Sequence, residues 1–161
     1  MPAELTVYQA IQDLLRASGA DFRTLRHEPA STSEESARAR GEELRVGGKA
    51  LLIKAGEEFR LFVLSANLKV DSAAIKSRLN VKKTRFATAE ELMQLTGLVP
   101  GSVPPFGRPI LPFELYADPS VEGNSRIAFN AGSLTDSIVM PVEDWLGVAA
   151  PVVFRFAAYL P

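Results

Sequence analysis

The chain of 161 residues carries 18 basic and 19 acidic side chains, a single histidine and no cysteine, with 47 % apolar residues. Without cysteine there are no disulfides, thiolate nucleophiles or Cys-based zinc sites, and one imidazole excludes a histidine metal cluster. A formal net charge of -1 gives no support for tight, non-specific nucleic-acid binding, while leaving room for a local basic face. The length and balance fit one soluble domain over residues 1–161. The start, Met1-Pro-Ala-Glu-Leu-Thr6, lacks the basic region and apolar run of a signal peptide, and no stretch approaches the ~20 apolar residues of a membrane span. The expected location is therefore the cytoplasm, with no membrane partner.

In chain order, Leu5, Tyr8, Ile11, Leu14 and Leu15 recur at helical spacing, which predicts an amphipathic helix over 4–18 stopped by Gly19. Residues 22–27 mix apolar and polar positions as a half-buried strand does, and Pro29 ends it. Thr32-Ser-Glu-Glu35 reads as a capping box that opens a short helix, closed by Gly41 after Arg40. The apolar runs 49–54 and 60–64, separated by Ala55-Gly-Glu-Glu58, predict a central hairpin buried on both faces. Asp71 caps a helix to Leu79, with Val70 and Ile75 spaced as a hydrophobic staple.

A short strand at 83–86 precedes a second capping box, Thr88 with Glu91, whose helix ends at Gly97. From Leu98 to Pro109, four prolines and two glycines disfavour regular structure and predict a stiff loop. Strands are expected at 113–117, 126–130, 137–140 and 152–156, with a helix near 142–146. Hairpins mixed with long connections point to an α/β chain of α+β type: a mixed, partly barrel-like sheet flanked by helices.

Several segments together resemble the YbaK/EbsC family, which includes the editing domain of bacterial prolyl-tRNA synthetases and its free-standing relatives. They are His27-Glu-Pro-Ala-Ser-Thr-Ser-Glu-Glu35, Gly48-Lys-Ala-Leu-Leu-Ile-Lys54, Asp71 to Arg85, the loop Thr96 to Gly107, and Phe129-Asn-Ala-Gly-Ser133. Ala50 stands where the family usually has threonine, and the loop carries a Gly-x-x-x-Pro pattern at Gly101 to Pro105. The likeness spans roughly 20–147, and the order of the segments makes it specific, since no single motif is. It implies the family's fold and a metal-independent, cofactor-free hydrolase that cleaves the ester of a small amino acid mischarged on tRNA, with tRNA-Pro the expected carrier. It implies catalytic roles for Lys49 and Gly101 and substrate contacts at Thr32, Ser102, Pro105, Gly107, Asn130, Gly132 and Ser133. The expected partners are the acceptor end of the charged tRNA and a synthetase or other translation factor; oligomeric state is left open. Some members have a histidine in the late turn, where this chain reads Ser133-Leu-Thr135.

The residues themselves allow this chemistry without requiring it. An aminoacyl ester is activated, so a positioned water and donors for the developing oxyanion suffice. Lys49, beside Gly47-Gly48, suits an electrostatic anchor for the terminal phosphate or ribose, but a strand-edge lysine reaching solvent has the same sequence. Gly101 to Pro105 reads as a rigid supplier of backbone N–H groups or as a surface turn, and Gly132 and Ser133 as a pocket wall or a hairpin turn. Lys54, at an odd offset from Lys49, faces the other side of the sheet. His27 reads as a strand-end residue with a satisfied hydrogen bond, and Trp145 as packing. Lys76, Arg78, Lys82, Lys83 and Arg85 form a solvated basic face that could meet RNA. The alternative to an enzyme is a non-catalytic module on the same scaffold, binding tRNA or nucleotide or docking onto a synthetase.

Overall fold

The protein is described by a computed structural model over residues 5–159. Helix α1 (Val7–Ala17) opens with a capping box between Thr6 and Gln9 and buries Ile11 and Leu15. Strand β1 (Arg23–Arg26) leads to α2 (Ser33–Arg40), where Thr32 accepts the Glu35 N–H and Gly41 closes the helix in the left-handed conformation. Glu35 does reach back, but to the Thr32 hydroxyl, which donates to its Oε1 at 3.0 Å. A 3-10 turn at Leu44–Val46 then delivers the chain into β2 (Gly48–Ala55) and β3 (Glu58–Ser65), which pair antiparallel along their whole length.

Beyond the hairpin come β4 (Lys69–Val70), α3 (Ser72–Leu79) capped by Asp71, β5 (Thr84–Phe86) and α4 (Ala89–Thr96) with its Thr88–Glu91 box. The proline-rich stretch forms no helix or strand until β6 (Leu115–Ala117). Then follow α5 (Pro119–Glu122), β7 (Arg126–Asn130), β8 (Asp136–Pro141), α6 (Val142–Ala149), β9 (Val152–Val153) and β10 (Ala157–Ala158).

The strands make a five-stranded mixed sheet in the order β5-β2-β3-β6-β9, an antiparallel sheet β1-β8-β7, and a two-stranded β10-β4 pair. β3–β6 and β6–β9 are the parallel pairs. The two larger sheets touch through a bridge between Gly47 and Ala128 and then diverge, so they do not close into a barrel. β2 and β3 serve two cores at once. Leu52, Leu61 and Val63 pack with Ile127, Phe129 and Trp145, while Ile53, Phe62 and Leu64 pack with Ile75, Tyr116 and Phe156. This two-sided burial is why the hairpin is a continuous apolar run rather than an alternating one.

The expected strands 22–27, 83–86, 113–117 and 152–156 are all shorter in the structure, and for the last two the cause is visible. Phe113 lies in a turn, its N–H donating to the Leu111 carbonyl at 2.9 Å. The last run breaks after Val153 because the buried Asp118 carboxylate takes the N–H groups of Phe156 and Ala157 at 2.8 and 2.9 Å. The same carboxylate caps α5 through the Ser120 N–H, a helix announced by Asp118-Pro119 but absent from the sequence reading.

Candidate active site

The divergence of the two sheets makes the site. Gly47, just before β2, bridges to Ala128 of β7, and β2 pairs with β5 from Ile53 onward, leaving residues 49–51 without a neighbour on that edge. The Ala87 N–H donates to the Leu52 carbonyl and the Gly56 N–H to the Lys83 carbonyl, so even-numbered residues of β2 aim their backbone groups toward this edge. Ala50 is one of them, and its N–H and C=O face the gap with no ladder partner among the described residues. The gap is a cavity of about 190 Å³, walled by β2, the start of α2 and the Gly101 loop.

Lys49, Gly101, Thr32 and Asn130, all expected at a site, line this cavity together. The Lys49 side chain leaves the opposite face of β2 from Lys54, which lies 5.8 Å from the Phe59 ring centroid. Its ammonium donates to the Leu68 carbonyl at 2.6 Å. Burial holds it below the ordinary lysine value; Glu34 partly offsets that, and Lys69 adds to the lowering.

Gly101 has φ +89°, and a Cβ there would sit 2.4 Å from the Ser31 carbonyl oxygen. Only glycine therefore lets the loop press onto the segment entering α2. Within Gly101 to Pro105 the free donors are few. Pro104 and Pro105 have no N–H, and the Ser102 N–H is spent on the Val99 carbonyl at 3.1 Å. The N–H groups of Gly101 and Val103 remain without a described acceptor, and both residues line the cavity.

Asn130 holds this arrangement by using its whole amide. Its Nδ2 donates to the carbonyls of Ala30 and Gly101 at 3.0 and 2.8 Å and lies 3.3 Å from Ser36 Oγ. Its Oδ1 accepts from Arg40 and Ser137 at 2.9 and 3.0 Å. It thus ties β7, α2 and the Gly101 loop to one point, with no capacity spare for a ligand.

The other expected contacts lie outside the cavity. Ser102 is buried with its hydroxyl donating to Val99, and the Pro105 carbonyl accepts the Trp145 indole N–H at 2.9 Å. Gly107 packs beneath the Phe113 carbonyl and Gly132 against Val7, its N–H donating to the Ser102 carbonyl. Ser133 organises its own turn, donating to Asp136 and accepting the Thr135 N–H. His27 has partners at both ring nitrogens, Nδ1 lying 2.8 Å from the Glu28 carbonyl oxygen and Nε2 2.8 Å from Ser137 Oγ. In the basic face Arg85 is neutralised by Glu91 through two bonds of 2.7 and 2.9 Å, which hold the Glu91 carboxyl down at about 2.

The sequence reading missed Arg40 and the hydroxyl wall of Ser31, Ser33 and Ser36, which join Thr32 along the cavity. Arg40 lies at the end of α2, where a basic residue reads as a partner for the helix dipole. Among the described residues, no three His, Asp or Glu side chains are grouped to hold a metal ion, and no helix is long and apolar enough to cross a membrane.

The family model for the aminoacyl-tRNA editing domain matches residues 27–148. The multifunctional Ser/Thr-tRNA deacylase ProXp-y of Escherichia coli K12 is 35 % identical over 155 residues, covering 92 % of each chain. A proline–tRNA ligase of Shouchella clausii is 32 % identical over 102 residues, which are 63 % of this chain and 18 % of the ligase. A crystal structure provisionally assigned as a trans-editing enzyme for prolyl tRNA synthetase superposes with a TM-score of 0.79 at 23 % identity, covering 98 % of this chain and all of that one. The chain belongs to the family of aminoacyl-tRNA editing domains, hydrolases of aminoacyl-tRNA.

Proposed function

We propose that the chain works as one free-standing domain that hydrolyses the ester of a small, hydroxylated amino acid mischarged on tRNA. The observation that carries this is the meeting of Lys49 with the open N–H groups of Ala50, Gly101 and Val103 around one small cavity. A backbone amide held rigidly costs no reorganisation when charge develops on the carbonyl oxygen. Water attacks the ester carbon, the tetrahedral oxyanion takes hydrogen bonds from these amides, and collapse releases the amino acid and the ribose hydroxyl. Lys49 acts as an electrostatic anchor for the terminal nucleotide rather than as a base. The shared use of β2 and β3 by both cores supports treating the chain as one unit.

Ser31, Thr32, Ser33 and Ser36 supply a polar wall that suits a side-chain hydroxyl, in keeping with the Ser/Thr named for the Escherichia coli relative. The likeness to a proline–tRNA ligase supports tRNA-Pro as the carrier and a synthetase as docking partner. The test is deacylation of Ser-, Thr-, Ala- and Cys-charged tRNAs, tRNA-Pro included, by wild type and Lys49→Ala. Lys49→Ala is expected to lose about 100-fold or more in kcat/KM on Ser- or Thr-tRNA. Equal rates for the two proteins would remove Lys49 from the mechanism, and binding without turnover across the panel would favour a non-catalytic module.

A further inference from the structure

Arg40 has no carboxylate. Arg16, Arg23, Arg45, Arg60, Arg85 and Arg126 each lie within 4.0 Å of an acidic side chain. Among the described arginines without such a pair, Arg26, Arg38, Arg78, Arg108 and Arg155 are exposed, whereas Arg40 is half-buried and lines the cavity. It is held by two neutral groups instead, Nε donating to Ser137 Oγ at 2.9 Å and one terminal nitrogen donating to Asn130 Oδ1 at 2.9 Å. The other terminal nitrogen, Nη1, makes no hydrogen bond to a described group and lies over Gly47, 3.8 Å from where a Cβ would be. Gly47 and Gly48 line the cavity on that side, where the missing side chains make room for Ala66 and Ile127.

The nearest acid that stabilises Arg40, Glu42, is itself bound by Arg23 at 3.2 Å and Arg126 at 2.6 Å. Burial pushes the Arg40 guanidinium down to about 10, so it stays charged at neutral pH without a counter-ion of its own. The cavity thus holds the cations of Arg40 and Lys49, with its remaining lining neutral. A half-buried charge without a counter-ion carries part of the cost of desolvation, and an anionic ligand would offset it. An aminoacyl ester has lost its carboxylate and keeps a basic amino group, which both cations repel. The negative charge it brings is phosphate.

We propose that Arg40 is a phosphate-binding residue of this site, its free Nη1 gripping the phosphate of the terminal adenosine while Ser137 and Asn130 fix the guanidinium plane. This rests on the editing reading for the identity of the nucleotide, and it gives the cavity a polarity: phosphate toward Gly47 and Arg40, ester toward Gly101 and Val103. A guanidinium locked on two sides loses little freedom on binding, which a lysine there would not match.

The test compares AMP with adenosine as ligands of the wild-type protein and of Arg40→Gln, alongside the salt dependence of KM for the charged tRNA. Wild type is expected to prefer AMP by about tenfold or more, and Arg40→Gln to lose that preference while binding adenosine as before. The slope of log KM against log salt should fall by about 0.7, the value for one single-strand phosphate contact. Unchanged AMP preference and unchanged slope in Arg40→Gln would overturn the assignment. If Arg40→Gln does not fold, the wild type supplies the readout: AMP, but not adenosine, protects Arg40 from phenylglyoxal, and equal labelling overturns it. A wild type that deacylates no charged tRNA defeats the editing reading, while the AMP comparison still judges Arg40.

Discussion

Asp118 and the Lys49–Arg40 cavity both withdraw charge from water, and they handle it in opposite ways. Asp118 is fully buried and spends its carboxylate inside the protein, accepting from the N–H groups of Ser120, Phe156 and Ala157 and from the Tyr159 hydroxyl. Burial alone would raise its pKa, but the bonds from Tyr159, Ser120, Ala157 and Phe156 outweigh it and hold the carboxyl below its ordinary value. At the cavity the bookkeeping does not close: Arg40 keeps a nitrogen free, and the amides of Ala50, Gly101 and Val103 have no acceptor. A saturated buried charge is a fastener. An unsaturated one is prepared for something that arrives.

That contrast breaks if the fastener turns out to govern activity or the cavity to govern stability. Asp118→Ala has the largest expected effect on stability, about 4 kcal/mol, because the buried N–H groups of Phe156 and Ala157 lose their acceptor. Chemical denaturation measures it, and deacylation per folded molecule should stay near wild type below the melting range. Gly101→Ala reverses the pattern. Its Cβ collides with the Ser31 carbonyl in a left-handed conformation, and a loop displaced by even an ångström should cost about 100-fold in kcat. Its stability should fall by about 2–3 kcal/mol, less than for Asp118→Ala, from the left-handed conformation and the backbone clash together.

Tyr159→Phe sharpens the comparison at the small end. It removes one bond of 2.7 Å to Asp118, worth about 1 kcal/mol, and leaves activity untouched. Its pH dependence is the finer test. Because the folded pKa of Asp118 is depressed, the stability it contributes is present above the unfolded value, near 4, and is lost as pH falls through the lower folded value. Tyr159→Phe raises that folded value, so the loss of melting temperature on acidification below about pH 4 should be shallower than in wild type.

What could be read from the sequence was what is written locally. Thr32, Asp71 and Thr88 cap their helices, and Gly41 and Gly97 close theirs, because a cap needs partners only a few residues away. The two-sided hairpin was equally plain from its unbroken apolar runs. Lys49 and Gly101 were placed at one cavity by family resemblance, since nothing near either names the other. Arg40 could not be found this way: its partners Ser137 and Asn130 lie 97 and 90 residues further on. Asn130 was expected to touch substrate, but its amide is consumed by the scaffold, a fact set by groups in three separate segments. The early end of the last strand has the same origin, in a carboxylate 38 residues upstream of Phe156.

The gap in β2 has one more consequence. Backbone left unpaired at the edge of a sheet is an invitation to a foreign strand, and such edges are common starting points for aggregation. Here residues 49–51 are exposed to that hazard by the very opening that forms the cavity. Lys49 places a charge on this edge, and α2 and the Gly101 loop wall the opening in front of it. Remodelling the cavity to accept bulkier amino acids would therefore be limited first by solubility, as a wider mouth begins to admit a second molecule's strand.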